Sequence, residues 1–125
     1  MNIVLWVAQA LLALAYGAAG FSKVATSYES LLENPRMGWV EDLSPGTVKG
    51  IGVLEVLGAV GLIFPGLFGI ATILTPIAAA ALALVQAAAI PFHLRRGEYQ
   101  IYGNVVLLAL ALFVAWGRFG SYPLG

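Results

Sequence analysis

Residues 50–66 read GIGVLEVLGAVGLIFPG, and this stretch decides the fold. It is an apolar run of membrane-spanning character with one carboxylate, Glu55, near its middle. The chain has six basic and six acidic side chains, and by sequence Glu55 is the only one set deep inside an apolar span. An acidic residue at the centre of a bilayer helix costs about 2.5–3.5 kcal/mol on insertion scales. Glu55 therefore needs partners from other helices.

Composition supports the membrane reading. Of 125 residues, 61% are hydrophobic and only 10% charged, with a mean hydropathy of +0.93. A soluble domain carries about 25% charged residues. The length fits one membrane domain, residues 1–125. A net charge of zero argues against nucleic acid as a partner, since nucleic acid needs a basic patch. With no cysteine, the chain itself can run no thiol relay, form no disulfide and offer no thiolate to a metal.

Four spans follow in order, at about residues 3–22, 46–64, 68–90 and 101–116. The first lacks the basic n-region of a secretory signal and reads as a retained helix. Asn2, Gln9, Tyr16 and Lys23 recur every seven residues along it, a polar stripe expected to face the bundle interior. In the connection, Tyr28, Leu31 and Leu32 have helical spacing, with Glu29 and Glu33 between them; this predicts a short interfacial helix ended by Asn34–Pro35. The loop is expected to cover one mouth of the bundle. Trp39 reads as an interfacial anchor, and Ser44–Pro45 as N-cap and first residue of span 2. Gly52, Gly58, Ala59 and Gly61 make span 2 a close-packing helix, with Gly52 leaving space beside Glu55. Phe64–Pro65–Gly66 is expected to stop it. In span 3, Pro76 is expected to kink the helix, and residues 91–98 read as a polar turn at the membrane surface. Arg118 is expected to close span 4.

The fold class is thus all-α, an integral membrane four-helix bundle with up-down topology. Both termini lie on one side and both polar loops on the other. Lys23, Arg36, Lys49, Arg95 and Arg96 belong to the loop side and only Arg118 to the terminal side. The positive-inside rule then puts the loops in the cytoplasm and the termini outside, most simply in a bacterial cytoplasmic membrane.

Depth brings the polar residues together. At about 1.5 Å per residue, Glu55 lies roughly 12 Å in from the loop side. Tyr16, Gln86 and Asn104 fall at similar depth, with Lys23 and His93 at the rim. A polar pocket open toward the loops is expected from these six residues. The alternative is a carboxylate satisfied by hydrogen bonds to Tyr16 and Gln86, with no ligand. A lone histidine cannot give bis-histidine haem ligation, and no spacing suggests a metal site.

Three segments also carry a resemblance. They are Ala19–Gly20–Phe21–Ser22–Lys23, the run from Gly52 through Glu55 to Leu62 (GVLEVLGAVGL), and His93–Leu94–Arg95–Arg96–Gly97–Glu98 before an aliphatic last span. In order and spacing they resemble the DoxX-like membrane proteins, small four-helix bundles. The resemblance covers nearly the whole chain and points to Lys23, Glu55 and His93 as family-like positions. It implies association with a membrane redox system, the family being named for a subunit of a thiosulfate:quinone oxidoreductase. The absence of cysteine makes redox chemistry supplied by a partner enzyme the expectation.

Three functions follow as expectations. The first is an accessory redox subunit binding a quinone or other lipophile, with no intrinsic cofactor. The second is a structural or assembly protein in which Glu55 fixes helix packing. Ranked last is a lipid-substrate isomerase-like enzyme. Membrane lipid, a redox enzyme and a second copy of the chain are the expected partners, the last through the small-residue faces.

Overall fold

The computed structural model describes residues 1–98 and 101–124, and at position 36 the backbone alone. The expected contribution of the Arg36 side chain to the loop-side charge lies outside that description. Among the described residues five α-helices occur in order: α1 (Asn2–Ala25), α2 (Tyr28–Glu33), α3 (Pro45–Phe68), α4 (Leu74–Arg95) and α5 (Tyr102–Phe119). A 3-10 stretch, Pro35–Asp42, separates α2 from α3. Each of α1, α3, α4 and α5 is long and apolar enough to cross a membrane. Ile3, Leu14, Leu57, Leu84 and Leu112 point outward, as lipid-facing residues of a multi-pass protein do.

The helices pack in the ring α1–α3–α4–α5 around Leu12, Tyr16, Leu62, Leu82, Ala111 and Val114. The tightest approach is between α1 and α3. A Cβ on Gly20 would lie 2.6 Å from the Gly52 carbonyl oxygen, and one on Gly52 would lie 2.8 Å from that of Gly20. Without a hydrophobic drive between helices in lipid, such backbone contact supplies much of the packing. Gly52 therefore receives α1 and does not leave open space beside Glu55.

Helix ends follow the local chemistry. Ser27 and Ser44 accept from the backbone N–H groups of Ser30 and Thr47, capping α2 and α3, with Pro45 in the first turn of α3. Lys49 Nζ caps the other end of α1, donating to the carbonyls of Lys23 (2.6 Å), Val24 (3.1 Å) and Thr26. The expected short helix and its ending at Asn34–Pro35 are present.

Four expected boundaries are corrected. Helix α3 does not stop at Phe64–Pro65–Gly66 but runs to Phe68, where Gly69 caps it at φ +66°. Pro65 cannot bond the Gly61 carbonyl, and the Thr75 hydroxyl does so instead at 2.7 Å. Helix α4 begins at Leu74, not near 68, so Pro76 falls in its first turn, where N–H groups have no helical acceptor anyway, and produces no mid-helix kink. Helix α4 also passes through Pro91 to Arg95, and the turn is confined to the residues after it, with Gly97 at φ +77°. Phe92 and His93 thus stand on a helix instead of in a loop. Helix α5 likewise runs past the expected 116 to Phe119.

Candidate functional site

The loop end of the bundle contains a cavity of about 350 Å³. Ile51 of α3 and Val85, Ala88, Ala89 and Phe92 of α4 give it apolar walls. Trp39 and Leu43 of the first loop reach it, as expected of a segment covering the mouth. Its polar groups are Lys23, Glu55, Gln86, His93 and Asn104, so four helices contribute and five of the six residues picked from sequence meet here.

Glu55 is held by Lys23. Lys23 Nζ lies 2.7 Å from Glu55 Oε1, with the side chains 9% and 5% exposed. The Gly20–Gly52 crossing brings the pair together, because in these antiparallel helices each charged residue faces the other helix's glycine: a Cβ on Gly20 would lie 2.9 Å from Glu55 Cβ, and one on Gly52 would lie 2.8 Å from Lys23 Cβ. Lys23 was expected at the rim and is buried. Glu55 makes no hydrogen bond to Tyr16 or Gln86 among the described residues. Asn104 Nδ2 donates to Gln86 Oε1 at 2.8 Å, tying α5 to α4.

Tyr16 is the exception among the six. It is buried in the core, outside the cavity lining, and its hydroxyl donates to the Leu82 carbonyl at 3.3 Å. Gln86 lies beside that hydroxyl, so Tyr16 stands behind the cavity wall.

The loop is fastened over the cavity. Trp39 covers Lys23, whose Nζ is 5.7 Å from the ring centre, and meets His93 edge-on at 5.7 Å. The loop has a small core of Leu31, Val40 and Val48, and Tyr28 donates to the carbonyls of Val40 (3.1 Å) and Leu43 (2.6 Å). From the second loop, Arg96 donates to Asp42, to Glu41 at 3.1 Å, to the Gly38 carbonyl at 3.0 Å and to Glu98 at 3.3 Å. The bond to Asp42, then that to Glu41, raises the Arg96 guanidinium above its ordinary value and keeps it protonated. His93 Nδ1 lies 2.8 Å from Glu98 Oε1. Sequence reasoning took Trp39 for an anchor and Arg96 for a topology marker, since no local pattern signals a contact between loops more than fifty residues apart.

Arg118 is the clearest miss. It stands in the last turn of α5 and so closes span 4 as expected, but its side chain turns inward and is buried at 2% exposure. Its Nε donates to Gln9 Oε1 and one terminal nitrogen to Asn2 Oδ1, each at 2.7 Å. Gln9 in turn donates to the Leu62 carbonyl at 2.6 Å. The seven-residue stripe pointed to this: Gln9, Tyr16 and Lys23 all face inward.

No curated protein and no solved structure matches the chain. The sequence profile of the DoxX-like family matches residues 7–114, a stretch that contains both members of the Lys23–Glu55 pair, the Gln86–Asn104 pair and the whole capping loop. A match of that extent, together with the four apolar helices, shows that this multi-pass membrane protein belongs to the DoxX-like family.

Proposed function

We propose that the chain is an accessory subunit of a membrane redox system and that its cavity holds a quinone or a similar lipophile with a hydrogen-bonding head. The observation that carries this is one cavity between the four apolar helices at their loop end, apolar on most of its wall, where Lys23–Glu55 and Gln86–Asn104 converge. Its amide and charged groups suit carbonyl oxygens, while Ile51, Val85 and Phe92 suit a ring and its substituents. The chain has no cysteine and a single histidine, so electrons would come from a partner enzyme. The basic residues Lys23, Lys49, Arg95 and Arg96 favour loops in the cytoplasm of a bacterial membrane.

The test is ubiquinone-1 binding to the native chain in lipid nanodiscs, measured against empty nanodiscs. Saturable binding is expected, weakened about tenfold or more by Ala89→Phe, which fills the cavity. Native binding no better than that of empty nanodiscs rejects this reading.

A second reading has one observation in its favour. Glu55 is already matched by Lys23 where α1 and α3 touch, so the pair would fix helix register with no ligand involved. Under that reading, Lys23 and Glu55 variants change stability and leave ubiquinone-1 unbound throughout.

A further inference from the structure

The lining groups divide by their access to water. Glu55 and Lys23 neutralise each other inside, at 5% and 9% exposure. His93 is 17% exposed, and its partner Glu98, outside the cavity lining, is 36% exposed. The ring is held on three sides: Nδ1 by Glu98 at 2.8 Å, and its faces and edges by Trp39 at 5.7 Å and Phe92 at 5.8 Å between ring centres. No described group engages Nε2. Among the described residues His93 is therefore the one cavity-lining group with a water-facing carboxylate behind it, and it is the chain's only histidine. Histidine is also the side chain that ordinarily changes charge between about pH 5 and 8.

Resting on the ligand reading above, we propose that His93, oriented by Glu98, carries protons between water and the cavity occupant, while Glu55 is engaged by Lys23. With Nδ1–H donated to Glu98 throughout, the imidazole takes each proton at Nε2 from water entering on the loop side and gives it from the same nitrogen to an oxygen of the occupant. The Nε2–H bond breaks as the O–H bond forms, and the ring is left neutral with Nδ1–H on Glu98. For a quinone, two such protons accompany two electrons from a one-electron donor, a haem or iron–sulfur centre of a partner, and yield the quinol. Glu98 is a positioning residue. The charged groups around His93 are Glu98 and Arg96 on the second loop, Glu41 and Asp42 through Arg96, Lys23 beyond Trp39, and Glu55 on α3.

The test uses the native chain in nanodiscs loaded with ubiquinone-1 and reduced by a viologen radical, an electron donor that carries no proton. Proton uptake is followed with a pH dye against empty nanodiscs. His93→Ala is expected to slow uptake about 10²-fold, and added imidazole to restore a large part of the rate. Glu98→Gln is expected to bind ubiquinone-1 as the native chain does but to take up protons several-fold more slowly, with a changed pH profile. Gly46→Ala, with nothing within 4 Å of the added carbon, is expected to keep the native rate. Native uptake in His93→Ala, or a slow rate that imidazole leaves unchanged, overturns the route while the ligand reading stands. Absence of saturable binding to the native chain overturns both.

Discussion

Lys23 Nζ lies 2.7 Å from Glu55 Oε1, an ion pair that spans the point where the backbones of Gly20 and Gly52 touch. The two relationships depend on each other. Only glycine lets α1 approach α3 closely enough for the ammonium to reach the carboxylate, and only the ion pair makes a carboxylate tolerable there.

Removing one partner should cost far more than removing both. Lys23→Met leaves an unmatched carboxylate at 5% exposure and should lower stability by about 3–5 kcal/mol. Lys23→Met with Glu55→Leu should recover much of that loss. Thermal unfolding in detergent compares the variants, and a double variant as unstable as the single one contradicts the pairing.

The glycine crossing predicts a positional contrast. Gly52→Ala places a methyl group 2.8 Å from a backbone oxygen that cannot retreat alone, for a loss of about 1–3 kcal/mol. Gly46→Ala, with nothing within 4 Å of the added carbon, should fall within about 0.5 kcal/mol of native. Equal melting of the two variants would remove the argument.

Thr75 and Pro65 should be coupled. Thr75→Val strips the Gly61 carbonyl of its hydroxyl donor and should cost about 1–3 kcal/mol. With Pro65→Ala in addition, the restored backbone N–H can take that carbonyl, and Thr75→Val should then cost much less. A double-mutant cycle with no interaction energy argues against the hydroxyl's role.

Arg118 rests on neutral oxygens. Gln9→Leu removes its Nε acceptor and the donor to Leu62, and should destabilise the terminal half by about 2–4 kcal/mol. Arg118→Lys should not restore function to this contact, because one ammonium cannot span Gln9, Asn2 and the Tyr122 carbonyl as the planar fork does. A lysine variant as stable as native would refute the fork geometry.

The loop fastening should resist alkali. The Arg96 value is raised, so its bonds to Asp42 and Glu41 are fully formed below the ordinary arginine range and are lost only above the raised value. Amide exchange protection at residues 38–43, corrected for the intrinsic pH effect, should therefore hold up to about pH 10. Arg96→Ala should raise exchange there several-fold at any pH. Protection that fades between about pH 8 and 10 in the native chain would place the control elsewhere.

Much of this was present in one dimension. Span number, the cap at Ser44–Pro45, the short helix after Ser27 and the inward stripe through Gln9, Tyr16 and Lys23 all follow from periodicity and local hydrogen-bonding chemistry, which act over a few residues. So does the gathering of Lys23, Glu55, Gln86, His93 and Asn104, since depth along a spanning helix can be counted. Lateral position cannot be counted. Which residue meets Glu55, that Tyr16 lies behind the wall, that Trp39 and Arg96 close the loop, and that Arg118 turns inward to Gln9 were decided by how the helices rotate against one another. The prolines show the same division. The sequence tells that Pro65 lacks a donor, but only the arrival of Thr75 from the next helix lets α3 continue through it.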